Sequence, residues 1–162
     1  MSEFKKALDL IFKLEGYDTV TNDPDDPGGL TKWGISKRAH PEVDVENLTR
    51  EGAGQIYHRD YWEMASCDRL PWPLNLFVFD AAVNQGVIPA KKMLQAATGR
   101  TAADGIFGPK TMAAIAHWPS DELAARFMAK RALRYVGTRN FDKYGYGWLK
   151  RLALVAMQAH DG

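Results

Sequence analysis

A chain of 162 residues with a formal net charge of +1 fits one domain, or one domain with two lobes, and can bury a real core. Charge so near neutrality argues against nucleic-acid binding driven by overall charge. Cys67 is the only cysteine, so no intrachain disulfide forms and packing alone must hold the fold, which suits a reducing cytoplasm.

The N-terminal stretch mixes Glu3, Lys5, Lys6 and Asp9 into its apolar residues, so it does not read as a signal peptide. Phe4, Leu8, Ile11 and Phe12 recur at helical spacing instead, and predict a helix over Glu3–Glu15 with Gly16 as its stop. Residues 18–34 are rich in Asp-Pro, Pro-Gly and Gly-Gly pairs and predict a short irregular β-hairpin. Ile35–Ala39 reads as one helical turn before Pro41. Thr49 is the expected cap of a helix through Tyr61, although Gly52 and Gly54 weaken it.

Pro71 and Pro73 mark a break, and a strongly apolar helix is expected from Leu74 to about Asn84. Its apolar run is too short to span a membrane. Pro89 suits the first turn of the next helix, which runs to Thr98 and stops at Gly99. Asp104-Gly105 and Gly108-Pro109 read as tight turns. A short helix follows over Lys110–His117, then a long one capped by Ser120, and a last one around Tyr146–Gln158. The fold class expected is mainly α, with a small β-hairpin near residues 18–34.

Chemistry concentrates at the end of the first helix. Glu15 sits at the negative end of the helix dipole, a setting suited to a proton donor. The loop after it carries Asp23, Asp25, Asp26 and Thr31. Glycosidic cleavage uses one carboxylic acid and a second group that attacks or activates water. Glu15 fits the first role. Asp26 with Thr31 fits the second, and Asp25 competes with Asp26. Taken singly, such residues are more often a solvated glutamate and ordinary turn aspartates. A calcium-loop reading fails because Pro27 and Gly34 stand where ligands belong. The four histidines lack metal-ligand spacing. No metal or cofactor is implied.

Two stretches resemble one family. The first holds Glu15-Gly16-Tyr17, then Asn22-Asp23-Pro24, Asp26-Pro27-Gly28-Gly29, Thr31 and Gly34-Ile35-Ser36. The second holds Phe79-Asp80-Ala81-Ala82-Val83-Asn84-Gln85-Gly86, then Leu94-Gln95, then Asp104-Gly105-Ile106-Phe107-Gly108-Pro109-Lys110-Thr111. Both are similar to glycoside hydrolase family 108, whose members include phage endolysins that cleave peptidoglycan. The chain departs from the family pattern by one missing glycine after Glu15, by a longer loop before Asn22, and by Trp33 in place of a tyrosine.

The resemblance implies a lysozyme-like helical fold and N-acetylmuramidase activity, with Glu15 as catalytic glutamate. It divides the chain into a catalytic lobe over 1–88 and a peptidoglycan-binding region over 89–162, packed as one globular unit. A lytic transglycosylase and a non-catalytic wall-binding protein are the rival readings. Tyr17, Trp33, Tyr61 and Trp62 are candidates for stacking on sugar rings, with core packing as the alternative. Asn84 and Gln85 are candidates for binding an N-acetyl group or peptide stem, with helix-end capping as the alternative.

The expected partner is bacterial peptidoglycan. A holin-type membrane protein would supply the route from the host cytoplasm to the wall. The C-terminal third carries Arg126, Lys130, Arg131, Arg134, Arg139, Lys143, Lys150 and Arg151. That run reads either as a solvated face or as an attraction to anionic wall polymers or outer-membrane lipid.

Overall fold

The computed structural model describes residues 2–16, 20–21 and 29–160. Among them lie α1 (Glu3–Glu15), β1 (Thr31–Lys32), β2 (Ile35–Ser36), α2 (Arg50–Tyr57), α3 (Leu74–Gln85), α4 (Val87–Thr98), α5 (Pro109–Ala116), α6 (Ser120–Val136) and α7 (Phe141–His160). The chain is thus mainly α with one small antiparallel sheet, as expected. It divides into two compact units, Met1–Asp60 and Tyr61–Gly162.

In the first unit, the Ser2 hydroxyl caps α1 by accepting from the Lys5 N–H at 3.3 Å. The helix buries Ala7, Leu8, Leu10, Ile11 and Phe12, the stripe that its periodicity announces. Phe4 is half-buried and meets the His58 ring edge-on at 4.6 Å. The hairpin lies at the end of the predicted span. Lys32 pairs with Ile35 and Thr31 with Ser36, leaving a two-residue turn at Trp33-Gly34. Both turn residues have positive φ, +55° and +75°, the hand that matches the twist of the flanking strands. Thr21 and Thr31 exchange backbone hydrogen bonds at 2.9 Å in each direction.

Ile35 and Ser36, expected to open a helical turn, are strand β2. The reversal at Gly34 returns the chain along β1, and Ile35 is driven into the core. Thr49 caps α2 as expected, accepting from the Gly52 N–H at 3.1 Å. Gly54 is less of a liability than its helix propensity suggests. A side chain there would start 3.2 Å from the Leu8 Cδ2, so its absence allows α1 and α2 to approach. The helix widens into a π-helical segment at His58–Glu63, so the helical run passes Tyr61 but changes character after Tyr57.

In the second unit, α3 is buried on every side from Leu74 to Ala82, and α4, α6 and α7 pack on it. A helix apolar all round belongs at the centre of a core. The turns at 104–109 are organised by Gln95, which is fully buried. Its amide N–H groups reach Asp104 Oδ1 at 2.8 Å, the Ile106 carbonyl at 3.0 Å and Thr111 Oγ1 at 3.1 Å. Its oxygen accepts from the Gly105 N–H at 2.7 Å. Asp104 is therefore occupied by turn geometry.

Two helix starts differ from expectation. Ser120 is the first residue of α6 and not its cap, and its hydroxyl donates to the Trp72 carbonyl at 3.3 Å. Helix α7 begins at Phe141, five residues before the expected Tyr146. Gly145 and Gly147 hide that start in the sequence, but the Phe141 ring lies over Gly145, 2.7 Å from where a side chain would begin.

Candidate active site

Glu15 is the last residue of α1 and is half-buried. Gly16 closes the helix at φ +94°, and its N–H donates to the Phe12 carbonyl at 3.1 Å. The Glu15 side chain faces the hairpin turn. Its Cβ and Cγ lie 3.1 and 3.2 Å from the point where a side chain on Gly34 would start. The Tyr57 hydroxyl crowds that same point. Tyr57 is buried, and its phenol donates to the Trp33 carbonyl at 3.1 Å.

Phe12 underlies this arrangement. The Trp33 ring packs on it at 4.9 Å, the Tyr57 ring meets it edge-on at 5.7 Å, and the Arg50 guanidinium lies 5.5 Å from its centre. Arg50 is itself paired with Asp9 of α1. The Trp33 indole nitrogen is buried and has no hydrogen-bond partner among the described residues. Thr31 is half-buried in β1, and its hydroxyl donates to the Gly29 carbonyl at 3.1 Å. Tyr17, Asp25 and Asp26 lie outside the described residues. So the first unit brings Glu15, Trp33, Gly34 and Tyr57 together, with Thr31 on the adjoining strand. Tyr57 went unread in the sequence because only the fold carries it to the turn.

The other candidates lie in the second unit. Tyr61 is half-buried in the π-helical segment, whereas its neighbour Trp62 is a core residue, buried edge-on against Phe79 with its indole N–H donating to Asp68 Oδ1 at 2.6 Å. Asn84 is exposed and Gln85 half-buried in the last turn of α3, and their carbonyl oxygens are held by α6. The Tyr135 phenol donates to Asn84 Oδ1, and Arg131 Nε donates to Gln85 Oε1 at 3.0 Å. Burial raises the Tyr135 pKa, so the phenol remains a neutral donor. Its ring stacks on Trp148 with centroids 5.0 Å apart.

Arg131 also faces Asp80. Both are fully buried, with Nη2 and Oδ2 separated by 2.8 Å. Arg151 Nη2 lies 2.8 Å from the other carboxylate oxygen, to which its Nε donates at 2.9 Å. These two arginines therefore leave the basic run that the sequence presents as one surface. Arg126 stays exposed but is engaged: it lies 4.2 Å from the Trp118 ring centre and donates to the Ala97 carbonyl at 2.8 Å. Lys130, Arg134, Arg139, Lys143 and Lys150 remain exposed. No described helix is long and apolar enough to cross a membrane.

Known proteins align with this architecture. The family model described as Glycosyl hydrolase 108 matches residues 8–86, and the model described as Predicted Peptidoglycan domain matches residues 89–153. No curated protein matches the chain. A solved structure, that of Brucella abortus SagA, is 31% identical with a TM-score of 0.84. The match covers 96% of this chain and 92% of that one. Similarity of that extent carries the mainly α, lysozyme-like fold across both units. The chain belongs to glycosyl hydrolase family 108 and is a glycoside hydrolase acting on peptidoglycan.

Proposed function

We propose that the chain is an N-acetylmuramidase that cuts the bond between N-acetylmuramic acid and N-acetylglucosamine, with Glu15 as general acid. The observation that carries this reading is the placement of Glu15 at the end of α1, with its stem braced by the hairpin turn. Glu15 gives its proton to the leaving glycosidic oxygen as the bond to the anomeric carbon breaks. Asp26, or Asp25, acts with Thr31 to hold the water that attacks that carbon and to take up its proton, or to stabilise the positive charge that develops there. Tyr17, Trp33, Tyr61, Asn84 and Gln85 are the proposed sugar and peptide contacts. We assign catalysis to residues 1–88 and wall contact to residues 89–162.

Mass spectrometry of digested peptidoglycan tests the reaction. A muramidase leaves fragments ending in reducing N-acetylmuramic acid. An anhydro sugar at that end would make the enzyme a lytic transglycosylase, and undigested wall would leave a binding protein. The setting that we favour is phage lysis, with a holin-type membrane protein opening the route from the host cytoplasm to the wall.

The exposed basic residues of α6 offer a separate proposal, attraction to anionic wall polymers or outer-membrane lipid. Arg126 and Arg131 are unsuitable probes because each has a packing role. The double variant Lys130→Gln with Arg134→Gln is expected to bind intact sacculi more weakly at low salt. The deficit should shrink near 0.1 M salt, where screening acts over about 10 Å. Cleavage of a short soluble glycan should be unchanged. Equal sacculus binding by parent and variant at every salt concentration would leave these residues as a solvated face.

A further inference from the structure

We propose that Gly34 and Tyr57 are positioning residues for Glu15, together forming a brace that fixes the direction of its carboxyl group. The inference rests on the reading of Glu15 as general acid. Three elements converge on one point in space. The stem of Glu15 comes from the end of α1, with Cβ and Cγ at 3.1 and 3.2 Å. The Tyr57 hydroxyl comes from the last residue of α2. The backbone of the turn supplies the third side, and only the missing side chain of Gly34 leaves room for the other two.

The turn itself is unusual. Trp33 is a bulky non-glycine residue at φ +55°, a conformation that must be held by its surroundings. Two contacts hold it: the Trp33 ring lies on Phe12, and its carbonyl accepts the Tyr57 hydroxyl at 3.1 Å. Tyr57 is 1% exposed and pressed edge-on against Phe12, so its hydroxyl has little freedom. The strained turn is thereby tied to both helices. A glutamate whose first two side-chain carbons rest against that turn has few rotamers open to it. Proton transfer demands this precision, because misplacing a reacting group by 1 Å can cost about a hundredfold in rate.

Four variants test the brace: Glu15→Gln, Tyr57→Phe, Gly34→Ala and the double variant Gly34→Ala with Tyr57→Phe. Each is followed by thermal unfolding and by kcat and KM on a soluble glycan. Tyr57→Phe releases the turn without adding bulk, and its kcat should fall about three- to tenfold with KM nearly unchanged. Gly34→Ala adds a methyl group that meets both the phenol oxygen and the Glu15 stem, and its kcat should fall by about thirtyfold or more. In the double variant the phenol oxygen is gone, and the methyl group meets only the Glu15 stem, at 3.1 and 3.2 Å. Its kcat should exceed that of Gly34→Ala alone, a non-additivity expected only where two residues share one contact.

Parental kcat in Tyr57→Phe, together with additive losses in the double variant or losses that track the folded fraction, would overturn the brace. If Gly34→Ala does not fold, Tyr57→Phe and recovery of folding in the double variant decide the matter. Parental activity in Glu15→Gln would remove the acid assignment, and the brace with it. Inactive Glu15→Gln beside fully active Tyr57→Phe would remove the brace alone.

Discussion

Replacing Glu15 with glutamine is expected to lower lytic turnover about a hundredfold or more while leaving the thermal unfolding midpoint near that of the parent. The amide matches the carboxyl group in size, so the packing of Cβ and Cγ against Gly34 survives. What it lacks is a proton acidic enough for the leaving oxygen. In the loop that follows, Asp26→Asn is expected to impair turnover more than Asp25→Asn, and Thr31→Ala to have a smaller effect. Turbidity clearance of cell walls and a melting curve for each variant provide the check. A folded Glu15→Gln protein that clears walls at the parental rate would refute the assignment. Greater damage from Asp25→Asn would shift the second carboxylate by one position.

Replacing Asp80 with alanine should have the largest effect on stability. Its carboxylate is fully buried between Arg131, also fully buried, and Arg151, which is 13% exposed. Removing it leaves two guanidinium groups facing each other in the core of the second unit. Breaking a buried ion pair from one side costs about 3–5 kcal/mol, because the desolvated partner charge stays behind. For a chain of this size, such a loss lowers the unfolding midpoint on the order of 10 °C. Arg131 also holds Gln85 at 3.0 Å, so the damage should reach the end of α3. Denaturant unfolding measures the effect, and a loss below about 1 kcal/mol would mean that water already reaches the cluster. Replacing all three charged residues with apolar ones of similar volume should be far less harmful, since no charge is then stranded.

The cluster shows where reading along the chain stops. Arg131 and Arg151 stand in a run of basic residues, and a charge count treats them like Lys130 or Lys150. Their partner Asp80 sits inside the apolar run of α3, 71 positions before Arg151. Burial alone distinguishes a core ion pair from a solvated face, and burial depends on which helices meet.

Local signals served well where the physics is local. The stripe Leu8, Ile11 and Phe12 with the stop at Gly16 delimits α1, the Thr49 hydroxyl caps α2, and the continuous apolar run from Leu74 marks the central helix. Each involves residues within a turn or two of one another, so periodicity and capping suffice. The family is legible for a related reason: its motifs are short and lie in order along the chain.

Local signals failed where a distant partner overrides propensity. Ile35 joins a strand because the turn before it reverses and the core accepts its side chain. Helix α7 runs through Gly145 because the Phe141 ring covers it. The sequence by itself determined the helix pattern, the lone glutamate before a turn-rich loop, and the family. Only the tertiary structure decided that Tyr57 and Gly34 meet the stem of Glu15, and that two of the basic residues are internal. Those facts depend on contacts between segments far apart in the chain, and no local pattern encodes them.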